Sequence, residues 1–66
     1  MTFKTLEELQ KHYQSLHDVK QIGGNAIMHN DGEGHVGFLN PNTYNWDWWG
    51  VNKQGQYEMT GSTQDL

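Results

Sequence analysis

Residues 44–51 read Tyr-Asn-Trp-Asp-Trp-Trp-Gly-Val and hold all three tryptophans of the chain. In a strand, side chains alternate between faces. Tyr44, Trp46 and Trp48 then share one face, and Asn45, Asp47, Trp49 and Val51 the other. Both faces carry indole. A chain of 66 residues buries only about 60% of the surface that its unfolded form exposes. One small core covers one face, so the second is expected to meet another subunit, a partner or a ligand. The aromatic count assigns Tyr44, Trp46 and Trp48 to the covered face. Trp49, Val51 and Asp47 are then expected to face outward.

The rest of the chain decides what packs on that strand. Thr5 followed by Glu8 is a capping-box pattern, in which each side chain satisfies a free N–H of a helix's first turn. Leu6, Leu9, Tyr13 and Leu16 follow at steps of three and four, drawing one apolar stripe. Glu7 and Lys11 sit at i,i+4 in the favourable order. A helix is therefore expected over 5–18, ending before Gly23-Gly24. His12 and His17 lie about 140° apart around it and read as surface residues.

Past Gly24 the period drops to two and turn residues recur. Strands are expected at 25–29, 35–39, 44–51 and 56–60, joined by turns at 30–34, 40–43 and 52–55. Connections this short favour an antiparallel meander, because parallel strands need a long crossover. The fold class is α+β: one N-terminal helix packed on a three- or four-stranded antiparallel β-meander. Residues 1–60 form one small domain, and 61–66 read as a frayed polar C-terminal tail.

Charge and cysteine usage exclude several functions. Eight Asp and Glu stand against four Lys, giving a net charge of −4 with no Arg. A nucleic-acid binder shows a basic stripe, and Arg is the main reader of phosphates and guanines. Direct nucleic-acid binding is not expected. Neither a polybasic membrane anchor nor an apolar stretch of ~20 residues is visible, so no membrane partner is expected and the location reads as cytoplasmic. With no Cys, neither disulfides nor thiolate metal sites can stabilise so small a chain. Oligomerisation is the remaining common route, and a homodimer is expected.

Two motifs carry possible chemistry. Gly32-Glu33-Gly34-His35-Val36-Gly37 spells G-x-G-x-x-G, but a dinucleotide site needs a strand before it and a helix after it. Here a strand follows, and the motif reads as a hairpin turn. His29 and His35 flank that turn, with Asp31 and Glu33 inside it. Two imidazoles and two carboxylates are a donor set for a Zn²⁺-like ion, although the spacing matches no standard ligand pattern. No nucleophile sits in a recognisable catalytic motif. The chain reads as non-enzymatic, with no cofactor.

These observations converge on a small acidic protein-interaction module. Its size, acidity and lack of catalytic groups suit an inhibitor or accessory protein of a phage or mobile element that binds a host protein. The expected partner surface is Asp47, Trp49 and Val51, with Asp31 and Glu33 as an acidic loop. Two alternatives stand beside it: a carbohydrate-binding module using an exposed Trp, and a metal-binding hairpin held by His29 and His35.

Overall fold

Thr5 starts the helix as its sequence requires. Its backbone is extended (φ −135°) and its hydroxyl accepts the Glu8 N–H at 3.1 Å. Glu8 reaches back one residue further than a capping box, accepting from the Lys4 N–H at 3.0 Å. Glu7 and Glu8 also place negative charge on the positive end of the helix dipole. The helix, α1, spans Leu6–Val19 in this computed structural model, which describes residues 1–64. It ends in a Schellman motif: the Gln21 N–H returns to Asp18 O (2.9 Å) and the Ile22 N–H to His17 O (3.4 Å). Gln21 takes the left-handed conformation there (φ 57°), ahead of the Gly pair that marked the stop in the sequence.

Five strands follow one another in space as β1-β5-β4-β3-β2, every neighbouring pair antiparallel. They are β1 (Thr2–Phe3), β2 (Met28–Asn30), β3 (Val36–Leu39), β4 (Asn45–Val51) and β5 (Tyr57–Gln64). The expected meander is β2 to β5. The fifth strand, β1, is two residues that pair Thr2 with Glu58 and Phe3 with Tyr57. No period can reveal a strand that short. The expected frayed tail is also corrected. Residues 61–64 continue β5 and pair with β4, while residues 65–66 of that tail lie outside the described residues.

One Asx side chain closes each turn of the meander. Asp31 Oδ1 accepts from the N–H groups of Glu33 and His35, Asn40 Oδ1 from Asn42, and Asn52 Oδ1 from Gln54 and Gln56. This local bonding is why Asp and Asn favour turns.

The helix packs on one face of the sheet only. Leu9 and Tyr13 from α1 meet Val36, Phe38 and Trp49 from β3 and β4 in the buried cluster. Tyr13 stacks on Phe38 with ring centroids 4.6 Å apart and planes 3° apart, and Trp49 meets Tyr13 edge-on at 6.3 Å. Both are favourable geometries for rings with a negative face and a positive edge. The histidines are not the surface residues expected. His17 is buried and its Nε2 donates to Gly23 O at 2.8 Å, while His12 is half-buried between Phe3 and Tyr13.

Candidate binding surfaces

Cross-strand register assigns every strand residue to a face, since directly paired residues point the same way. Phe38 pairs with Asp47, and Val36 with Trp49, so these four share the helix face. Gly37 pairs with Trp48, Leu39 with Trp46 and His29 with Gly37, so the opposite, helix-free face carries Trp46, Trp48 and His29. The expected assignment of indoles to faces is thus inverted. Trp49 is 2% exposed and Asp47 5% exposed, and neither can contact a partner while the core is intact. Val51, at the end of β4, is exposed as expected.

The inversion has a physical cause in a buried polar network. Tyr13 donates its hydroxyl to Asp47 Oδ2 at 2.7 Å. Asn40 Nδ2 donates to the same oxygen at 2.9 Å, and Ser62 Oγ to Oδ1 at 3.0 Å. Trp49 Nε1 donates in turn to the Tyr13 hydroxyl at 2.9 Å. Every polar atom that Tyr13, Asp47 and Trp49 bring inside has a partner, and among the described residues no buried side-chain N or O lacks one. A carboxylate without such donors would be costly to bury. The helix residue Tyr13 thereby selects which indole of β4 lies beneath it.

Trp48 occupies the other face in a specific pose. A Cβ placed on Gly37 would lie 2.9 Å from Cη2, 2.9 Å from Cζ3 and 3.0 Å from Cε3 of Trp48. Nearly equal distances to three consecutive ring atoms put the glycine under the ring's face and not at its rim. The indole therefore lies flat across the sheet, and a side chain at position 37 would lift it. Its Nε1 donates to Thr63 Oγ1 on β5 at 3.2 Å. Trp46 is inclined only 29° to it with centroids 6.4 Å apart, too far for face-to-face contact, so the two indoles tile the sheet along β4. His29 meets the Trp46 ring edge-on at 6.3 Å. A bulge in β5, where Trp48 pairs with Gly61 but Trp49 with Met59, sets Thr60 beside Gly50 and His35 on the same face. The result is a flat aromatic centre with imidazole and hydroxyl groups around it, both indoles half-buried. No element of the described residues covers it.

The acidic loop is built differently from a metal site. Asp31 Oδ2 accepts from His35 Nδ1 at 2.9 Å while Oδ1 holds the loop backbone. The Glu33 N–H above all, helped by the His35 N–H and imidazole, holds the Asp31 carboxyl below its ordinary range. Asp31 and Glu33 are exposed. The hairpin pairs His29 with Gly37 and Asn30 with Val36, so His29 and His35 are not cross-strand partners. Among the described residues no group of three His, Asp or Glu side chains is placed to hold an ion. A depressed carboxyl pKa stabilises the fold above the unfolded value, and the contribution is lost as pH falls through the folded value. The hairpin is therefore expected to loosen first in acid. Amide protection at Glu33 and His35, measured against the intrinsic exchange rate at each pH, should fall once Asp31 protonates, and Asp31→Asn should show that lower protection, and hence faster exchange, at neutral pH. Equal exchange in the variant at neutral pH would contradict it.

No family model matches the chain, and neither a curated protein nor a solved structure does. Among the described residues no helix is long and apolar enough to cross a membrane.

Proposed function

We propose that the protein is a non-enzymatic recognition module and that its working surface is the helix-free face of the sheet, engaged by a protein partner. One observation carries this reading: Trp48 lies flat across Gly37 with Trp46 beside it, on a face that no element of the described residues covers. Protein interfaces place large aromatic anchors at the centre of a contact and polar groups at the rim. His29, His35, Thr60 and Thr63 supply such a rim. All four lysines (Lys4, Lys11, Lys20 and Lys53) lie outside the strands of this sheet. The strands that build the face therefore carry no lysine, which argues against a nucleic acid stacking on the indoles.

A second copy of the chain is the first partner to test, since sheet-to-sheet contact would bury both indole pairs in one symmetric interface. A host protein is the second, as for an inhibitor or accessory protein of a phage or mobile element. Light scattering coupled to gel filtration, at two concentrations, separates them. A dimer that Trp48→Ala converts to monomer supports self-association. A parent monomer that retains one host protein, and loses it on Trp48→Ala, supports the other. Expected losses are at least about tenfold in affinity, as for a central aromatic anchor. A monomer whose partners are indifferent to Trp46→Ala and Trp48→Ala together would end the proposal.

The flat pose of Trp48 favours one further reading, a neutral sugar. Pyranose C–H groups stack on an outward-facing indole while hydroxyls meet Thr60, Thr63 and the imidazoles. This reading expects tryptophan emission to shift when a neutral oligosaccharide is titrated, and not in Trp48→Ala. It also expects a monomer that no protein occupies.

A further inference from the structure

The side chains around the two outward indoles have already spent most of their donors within the chain. Trp48 gives its one N–H to Thr63 Oγ1, and Thr60 gives its hydroxyl hydrogen to the Trp48 carbonyl at 3.3 Å. The Asp31 carboxylate accepts at His35 Nδ1, which makes that nitrogen the donor and leaves Nε2 of the neutral ring as an acceptor. Nε2 lies over Gly50, 3.5 Å from where a Cβ would stand, with Thr60 Cγ2 beside it at 3.3 Å.

A carboxylate joins these acceptors. Glu58 pairs with Gly50, so its side chain emerges on the same face. Gly50 stands two residues from Trp48, about 7 Å along the strand. Asn52 Nδ2 meets one oxygen of Glu58 at 3.3 Å, and no lysine or histidine of the described residues forms an ion pair with it. The face thus turns outward two indole rings, lone pairs and a negative charge. Among its described side chains, His29 and Thr63 keep a hydrogen to donate.

Resting on the reading of this face as the working surface, we propose that the partner anchors there with an arginine side chain, its guanidinium laid on Trp48 and its N–H fork turned to Glu58 and His35. Three observations select that group. The Trp48 ring lies flat, and a planar cation stacks on indole better than on any other aromatic face. The polar atoms beside the ring are acceptors, so a group with five N–H donors and no acceptor finds partners where a carboxylate or phosphate would meet lone pairs. The charge has the matching sign: the chain carries −4, Glu58 lies on the face, and the strands of the sheet hold no lysine. A second copy cannot supply the group, because the chain has no Arg. The partner is therefore a different protein.

NMR titration of the intact chain with N-acetyl-arginine amide tests this, beside the lysine amide, which measures charge alone, and the citrulline amide, an uncharged isostere. The expected result is saturable, millimolar binding of the arginine probe, with shifts at the Trp48 indole N–H and at the Gly37, Gly50 and Thr60 amides. Citrulline should bind about fivefold more weakly or worse, and lysine more weakly than arginine. Trp48→Ala should weaken the arginine probe by about threefold to tenfold, and Glu58→Gln, at an exposed position, by about twofold to fivefold. Absence of saturable shifts, shifts elsewhere on the chain, or equal binding of arginine with citrulline or with lysine would overturn the proposal. Failure of the underlying reading looks different. A dimer that Trp48→Ala dissolves would keep the face as an interface and overturn the arginine, whereas partners indifferent to both indoles would remove the face itself.

Discussion

Asp47→Ala is expected to cost about 2–4 kcal/mol of unfolding free energy, a large share of the roughly 3–10 kcal/mol available to a domain of this size. The substitution strands the Tyr13 hydroxyl, whose hydrogen points at Asp47 Oδ2 in a place closed to water. It also removes the anchor that ties α1 to the β3–β4 turn through Asn40 and to β5 through Ser62. Asn40 and Ser62 are less enclosed and can turn to solvent, so most of the cost falls on Tyr13. Asp47→Asn keeps the volume and an acceptor oxygen for the Tyr13 hydroxyl, but its N–H₂ can be met only if the Ser62 hydroxyl turns to accept, and the charge that strengthens all three bonds is gone. It should recover only part of the loss. Urea denaturation followed by tryptophan emission measures both, with an unchanged slope showing that stability and not compactness has moved. An alanine variant within 0.5 kcal/mol of the parent would mean that the network does not hold the helix to the sheet.

The same network explains where the sequence could be read and where it could not. The helix was legible because Thr5, Glu8 and the Leu6-Leu9-Tyr13-Leu16 stripe all state one period and one start. The meander was legible because Asp31, Asn40 and Asn52 punctuate it with side chains that close turns by themselves. Alternation in β4 also foretold that indoles would lie on both faces. It could not say which face the helix takes. Parity fixes the sets, Trp46 with Trp48 and Asp47 with Trp49, and leaves their sides to long-range partners. Counting aromatics chose the wrong side. Two signals pointed the other way: Tyr13 sits in the apolar stripe and needs a partner for its hydroxyl, and Gly37 lies in a strand, where glycine marks a close approach. Asp47 answers the first and Trp48 the second. A carboxylate in the central strand looked like surface because charges are seldom buried unpaired. Its donors come from positions 13, 40 and 62, and no local pattern joins them.

Alkaline pH should expose the network a second way. Burial above all, and then the Asp47 carboxylate that accepts its hydrogen, push the Tyr13 hydroxyl far above its ordinary 10.0, against a weaker opposing pull from the Trp49 N–H. Once pH passes that ordinary value, the unfolded chain releases this proton and the folded chain keeps it. Fewer protons are then bound in the unfolded state, so stability falls as pH rises. The stability is fully present below the unfolded value. Above it, Tyr13 alone removes about 1.4 kcal/mol per pH unit until the folded group also ionises. Two units would cancel roughly 3 kcal/mol, comparable to deleting Asp47. Tyr13→Phe starts less stable, because Asp47 and Trp49 each lose a partner, but it has no proton to release. Its unfolding free energy should therefore fall less steeply in base than that of the parent. The difference between the two slopes, from urea melts at a series of alkaline pH values, isolates Tyr13 from every other titrating group. Parallel slopes would show that the hydroxyl ionises as easily in the fold as outside it. The stacked, doubly hydrogen-bonded geometry of Tyr13 between Phe38, Trp49 and Asp47 would then not persist in solution.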